Sequence, residues 1–166
     1  MKSASLISVL LPLLVIAGWA GYHEYSVRSG TEVEFKVVGY DPRDLLSGHY
    51  LNYRVDYGVD VCGSNYRRDE DYCVCLVQTG LSTSPLLVDV AVSCESVSCP
   101  LYLRGRCTGR FHTGLEKFYF PDEYKDKLRV VPPNSSIRVK IDRMGRGHVV
   151  DFLVNGVPLS EYVRAN

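Results

Sequence analysis

An uncharged run, Ser3 to Tyr22, opens the chain between Lys2 and His23. No other feature constrains the fold as strongly, because an apolar helix of this length has few destinations. At about 1.5 Å rise per residue, roughly 20 such residues cross the hydrocarbon core of a bilayer. Lys2 and the free amino group then predict an N-terminus on the inside, with the remainder of the chain facing outward. Trp19 and Tyr22 fall where an outer aromatic belt would sit, and Pro12 is tolerated in a membrane span. The competing destination is a cleavable signal peptide, for which Gly18-Trp19-Ala20 offers small residues around a cleavage point. The uncharged run continues past that point to Tyr22, which favours an uncleaved anchor over residues 1–23. Residues 24–30 then read as a polar hinge and residues 31–166 as an exported domain.

Six cysteines, Cys62, Cys73, Cys75, Cys94, Cys99 and Cys107, all lie in the part expected to face outward. An even count in an exported chain predicts a disulfide framework, and six cysteines allow 15 connectivities. Cys73 and Cys75 sit two apart on an apparent strand, so they share a face and each must bond elsewhere. The expected pairing is a local Cys94–Cys99 loop, with Cys62 and Cys107 taking Cys73 and Cys75 in either order. A metal site is the weaker reading. No Cys-x2-Cys pair occurs, and His23, His49, His112 and His148 are dispersed without ligand spacing. No metal and no cofactor is therefore expected, and a thiol redox or metal-handling module using Cys73 and Cys75 stands as an alternative.

The exported part reads as mainly β (α+β). Thr31–Val38 alternates, with Val33, Phe35 and Val37 on one face, and from Tyr50 a second alternation sets Leu51, Tyr53, Val55 and Tyr57 together. Cys73–Gln78, Leu86–Val92, Leu101–Arg104, Arg106–His112, Leu115–Phe120, Ile137–Arg143 and His148–Val154 are the further strand candidates. One short helix is expected from Pro121, with Asp122 and Glu123 at its positive end and Tyr124 and Leu128 on its buried face. Asn155-Gly156 predicts a tight turn near the end of the chain. The sum is a compact antiparallel β domain behind an N-terminal transmembrane helix.

Nineteen basic and nineteen acidic residues cancel, so no global field attracts nucleic acid. Nucleophilic catalysis has little to stand on. Ser47 and His49 are sequence neighbours without a third orienting group, and no Gly-x-Ser-x-Gly elbow occurs. Asp41 to His49 faintly echoes the serine–proline segment of signal peptidases, which would make a hydrolase of that type the enzymatic alternative. The position that would hold the attacking serine is Tyr40 or Asp41, so the mechanism lacks its attacking atom. Asp41, Asp44, Glu116, Asp122 and Glu123 have structural explanations as turn formers, ion-pair partners and first-turn helix acids. The expectation is therefore not an enzyme. Twelve tyrosines suit a β core, and an aromatic surface for a partner as well.

The segment Gly39-Tyr-Asp-Pro-Arg-Asp-Leu-Leu-Ser-Gly-His-Tyr-Leu-Asn-Tyr-Arg-Val55 combines a stiff Asp-Pro turn, a glycine reversal and the start of a strand. It resembles the signature of the uncharacterised GDYXXLXY family of bacterial membrane-anchored proteins. Gly48 and Tyr50 match the signature. His49 replaces its aspartate, Tyr53 its leucine and Val55 its final tyrosine. Gly114-Leu-Glu-Lys-Phe-Tyr-Phe-Pro-Asp-Glu123 and Phe152-Leu-Val-Asn-Gly156 are similar to later segments of that family. The resemblance implies a single-pass protein of the bacterial inner membrane with a periplasmic C-terminal domain that partners a multi-spanning membrane protein. Its expected binding residues are Asp41, Arg43, Asp44, Gly48, His49 and Tyr50, joined by Glu116 and Glu123.

Overall fold

The computed structural model describes residues 2–39, 50–63, 70–77, 86–91, 93–125, 127–128 and 130–165, with backbone alone for 2–7, 9 and 86–91. Helix α1 spans Lys2–Arg28, 27 residues that continue through most of the segment read as a hinge, to the break at Ser29-Gly30. Apolar side chains from Leu10 to Tyr25, among them Leu11, Leu14, Ile16 and Trp19, are exposed. Among the described residues no helix is long and apolar enough to cross a membrane. The helix meets the domain near its C-terminal end, where the His23 and His148 rings lie edge to face with centroids 5.6 Å apart. Burial holds the His148 imidazole below its ordinary value, although the nearby Asp142 carboxylate pulls the other way.

Two antiparallel sheets follow. Strands β1 (Thr31–Gly39) and β2 (Tyr50–Val55) belong to the first, and β3 (Asp71–Val77), β4 (Leu86–Ala91), β5 (Tyr102–Cys107) and β6 (Phe111–His112) form the second in the order β4-β3-β5-β6. The chain then returns to the first sheet with β7 (Lys117–Tyr119), β8 (Ser135–Ile141), β9 (Gly147–Val154) and β10 (Val157–Pro158), giving the order β10-β9-β8-β1-β2-β7. Period-two alternation sends Val33, Phe35 and Val37 of β1 inward as read, beside Ile137 and Val139 of β8 and Phe152 of β9. Tyr72, Val74 and Leu76 of β3 and Leu103 of β5 enter the same apolar cluster from the second sheet. The β9–β10 connection is the expected Asn-Gly turn. Asn155 and Gly156 both take positive φ, 53° and 79°, as a two-residue hairpin with right-handed strand twist requires.

Two readings are corrected. Residues Asp122–Tyr124 form a single 3-10 turn in place of the helix expected from Pro121, and Pro121 stays extended before it. The turn buries none of its own residues, so no packed apolar face holds a longer helix there, although Leu128 is buried as expected. The domain's short α-helix, α2, lies at the other end of the molecule, Leu159–Ala165, and buries Leu159 and Val163 one turn apart.

The disulfide pairing also differs: the bonds are Cys62–Cys107, Cys73–Cys94 and Cys75–Cys99. Strand parity explains why. Tyr72, Val74 and Leu76 face the core, so Cys73 and Cys75 share the outer face of β3, each bonded elsewhere as read. Cys107 follows Leu103 and Gly105 onto the core side of β5 and meets Cys62 there. It cannot reach the outer face of β3. The segment carrying Cys94 and Cys99 is therefore stapled to β3 at two points, and the local Cys94–Cys99 loop does not form. All six cysteines are bonded, Cys73 and Cys75 among them.

Candidate binding site

The two motif segments, some sixty residues apart in sequence, are hydrogen-bonded neighbours. Tyr50 pairs with Tyr119, Leu51 with Phe118 and Asn52 with Lys117, and the Tyr53 N–H donates to the Glu116 carbonyl at 3.1 Å. Leu51 points into the core, while the Tyr50 and Tyr119 rings meet on the opposite face with centroids 5.7 Å apart. The Lys117 ammonium lies 4.9 Å from the centre of the Tyr50 ring, a cation–π contact. Tyr119 is 64% exposed, so this face offers aromatic surface beside a positive charge. Of the expected binding residues, the structure thus joins the Tyr50 segment to the Glu116 segment. Glu123 is exposed on the 3-10 turn, without an ion pair among the described residues. Asp41, Arg43, Asp44, Gly48 and His49 lie outside the described residues.

Glu116 does not belong to the outward face. Gly114, at φ 84°, turns the chain just before β7, and this turn lets the Thr113 N–H donate to Glu116 Oε1 at 2.8 Å. The Thr113 hydroxyl donates to the same oxygen at 3.4 Å, and it accepts from the Tyr57 hydroxyl at 2.7 Å. His112 Nδ1 is 3.9 Å from Oε1. The second carboxylate oxygen, Oε2, makes no hydrogen bond among the described residues.

The same turn opens a cavity of about 500 Å³ between the end of β2 and the β5–β6 hairpin. Tyr53, Tyr57, Phe111, His112 and Glu116 line it, with Arg54 and Arg110 exposed at its rim. The hairpin sits close because residue 105 is glycine: a Cβ there would stand 2.5 Å from the His112 carbonyl oxygen and 2.6 Å from the Phe111 ring. Ladder alternation aims the Val55 N–H and carbonyl to the side where Tyr53 bonds Glu116. At Val55 β7's strand has already turned away, so no strand of the described residues lies opposite. Tyr53 is 1% exposed, and its hydroxyl has no hydrogen-bond partner among the described residues. Burial pushes the Tyr53 phenol far above its ordinary value and the Glu116 charge adds to this, so it stays protonated. Burial does the same to Tyr57. This arrangement can bind polar groups. Tyr53, Tyr57 and Thr113 were not marked as site residues by the sequence, since each is an ordinary strand or turn residue until the turn at Gly114 brings them together.

On the far side of His112, a shallower depression holds Arg104, Arg106 and Arg146. Both Arg104 and Arg106 clamp Asp71, whose carboxyl they hold below the usual range. Among the described residues no group of three or more His, Cys, Asp or Glu side chains could hold a metal ion.

Comparison with curated proteins and with solved structures found no match. A family model described as GDYXXLXY protein matches residues 12–152, which takes in α1 from its proline, the strands from β1 to β8, most of β9 and the two paired motif segments. The chain belongs to the GDYXXLXY family.

Proposed function

We propose that this is a membrane-anchored recognition domain on the periplasmic side of a bacterial inner membrane, where it partners a multi-spanning membrane protein. The reading is carried by one observation: the two motif segments pair to build the exposed Tyr50–Tyr119–Lys117 face. Tyrosines with exposed apolar bodies and polar tips, next to a cation, are the composition of protein-binding surfaces. The anchor rests on the 20 uncharged residues from Ser3 to Tyr22. They are carried in one unbroken helix, whose described apolar side chains are left uncovered by the domain. At 27 residues α1 is about 40 Å long, sufficient to span the hydrocarbon core. Three disulfides suit an oxidising compartment.

A photo-reactive phenylalanine analogue at position 119, in cells expressing the full chain, tests the partner. The expected result is an adduct with a multi-spanning membrane protein, absent when the analogue replaces exposed Arg143 on the β8–β9 turn. Adducts of equal yield from both positions, or none from position 119, would contradict the assignment of this face.

A further inference from the structure

We propose that the cavity between β2 and the β5–β6 hairpin binds a primary ammonium group, carried by a peptide N-terminus or by a small alkylamine. This goes beyond the partner-binding face and does not depend on it. Three of the residues that line the cavity carry an acceptor without a partner among the described residues: Glu116 its Oε2, Tyr53 its hydroxyl and Val55 its carbonyl. An ammonium has three donors and no acceptor, so it suits a set made of acceptors. Glu116 supplies the opposite charge. Its Oε1 is fixed by the Thr113 N–H and hydroxyl, which orients the carboxylate before a ligand arrives and leaves Oε2 to receive one.

The buried hydroxyl of Tyr53 is the second, independent sign of a ligand. A buried polar group left unpaired is costly, and native structures keep few of them. Here the group belongs to a lining residue of a cavity of ligand size, and it is close enough to Glu116 to feel its charge. The surroundings favour a cation. The Tyr57 and Phe111 rings, with centroids 5.3 Å apart, form an aromatic wall. Asp56 and Asp60 add two carboxylates, each accepting through Oδ1 from a nearby main-chain N–H. The two guanidinium groups, of Arg54 and Arg110, belong to exposed residues at the rim, where solvent screens them. An anion would meet the Glu116 carboxylate among the lining residues. The Val55 edge adds a way to hold the rest of a peptide. Its N–H and carbonyl stand where a further strand residue would pair, so an extended chain could continue the line that β7 abandons at Gly114.

Calorimetric titration of the full chain in detergent micelles at neutral pH tests the site. The probes are Ala-Ala-Phe amide with a free amino terminus, the same peptide N-acetylated, and butylamine. The free-amine peptide should bind at least about tenfold more tightly than the acetylated one, because acetylation removes the charge that Glu116 neutralises. Glu116→Gln should weaken binding of the free amine by about tenfold, and Tyr53→Phe by several-fold. Glu123→Gln should leave it unchanged. Tyr53→Phe loses only an unpartnered hydroxyl, so it should melt no lower than the native chain and thereby serve as the folded control. Butylamine binding within a few-fold of the free peptide assigns the site to small amines. Clearly tighter peptide binding assigns it to a chain terminus. Equal binding of the free and acetylated peptides, no binding of any probe to the folded native chain, or full affinity in Glu116→Gln overturns the proposal.

Discussion

Full reduction of the three disulfides should unfold the β domain at room temperature. The bonds close chain separations of 45, 21 and 24 residues. In the chain-entropy account, the first restricts the unfolded state by about 4 kcal/mol and each of the others by about 3 kcal/mol, with less than full additivity because the loops overlap. Domains of this size have a total stability of only about 5–15 kcal/mol, so losing all three consumes most or all of it. Cys62–Cys107 should be the largest single contributor. It closes the longest loop, and it joins the loop after β2 to β5 within the apolar cluster. Replacing both of these cysteines with alanine should lower stability by about 4 kcal/mol, read as the fall in denaturant midpoint. A fully reduced chain that still unfolded cooperatively near the oxidised midpoint would show that the two sheets hold without their staples.

Asp142→Ala is the second large effect, expected to cost about 3 kcal/mol. Asp142 is buried at the start of the β8–β9 turn. Its Oδ1 accepts from the N–H groups of Met144 and Arg146 at 2.8 and 2.9 Å, and its Oδ2 accepts from Arg146 Nε at 2.9 Å. Alanine would strand two turn N–H groups and release Gly145, whose positive φ and carbonyl bond from the Arg104 N–H tie the turn to β5. Burial by itself would raise the Asp142 carboxyl, but the Arg146 and Met144 N–H groups and the Arg146 guanidinium outweigh it and hold the carboxyl below its ordinary value. The sign follows. A carboxyl depressed in the folded state contributes stability that is fully present above its unfolded pKa, near pH 4, and is lost as pH falls through the folded value. Asp71 acts in the same direction but is partly solvated, so it contributes less. Thermal melts below pH 4 should therefore fall steeply for the native chain and more shallowly for Asp142→Asn. Parallel acid profiles for the two would contradict this role.

What could be read in advance was whatever depends on neighbours in sequence. Alternation alone places Val33, Phe35 and Val37 inside, and Asn155-Gly156 carries its own turn geometry. Sequence nearness favours a Cys94–Cys99 bond, whereas strand parity decides the pairing. Cys107 shares a side of β5 with Leu103, and that puts it in the core, away from Cys73 and Cys75. First-turn residues favour a helix at Pro121, but the turn there buries no side chain of its own to hold one. Leu159 and Val163 in α2 had only one helical repeat to announce them. The cavity was illegible for a different reason. It depends on Gly114 turning the chain so that Glu116 meets Tyr53 and Tyr57, some sixty residues earlier. Composition and spacing carry no trace of such a meeting. The paired motif segments are an intermediate case: their relation to the family was visible, and their contact along β2 and β7 was not.

The intact mass of the protein recovered from alkali-washed membranes, after alkylation without reductant, tests the central claim most directly. An anchored, exported and oxidised domain predicts a chain that stays in the membrane pellet, retains α1 and carries no alkyl group on any of its six cysteines. A chain released by alkali, or one alkylated at Cys73 and Cys75, would contradict it.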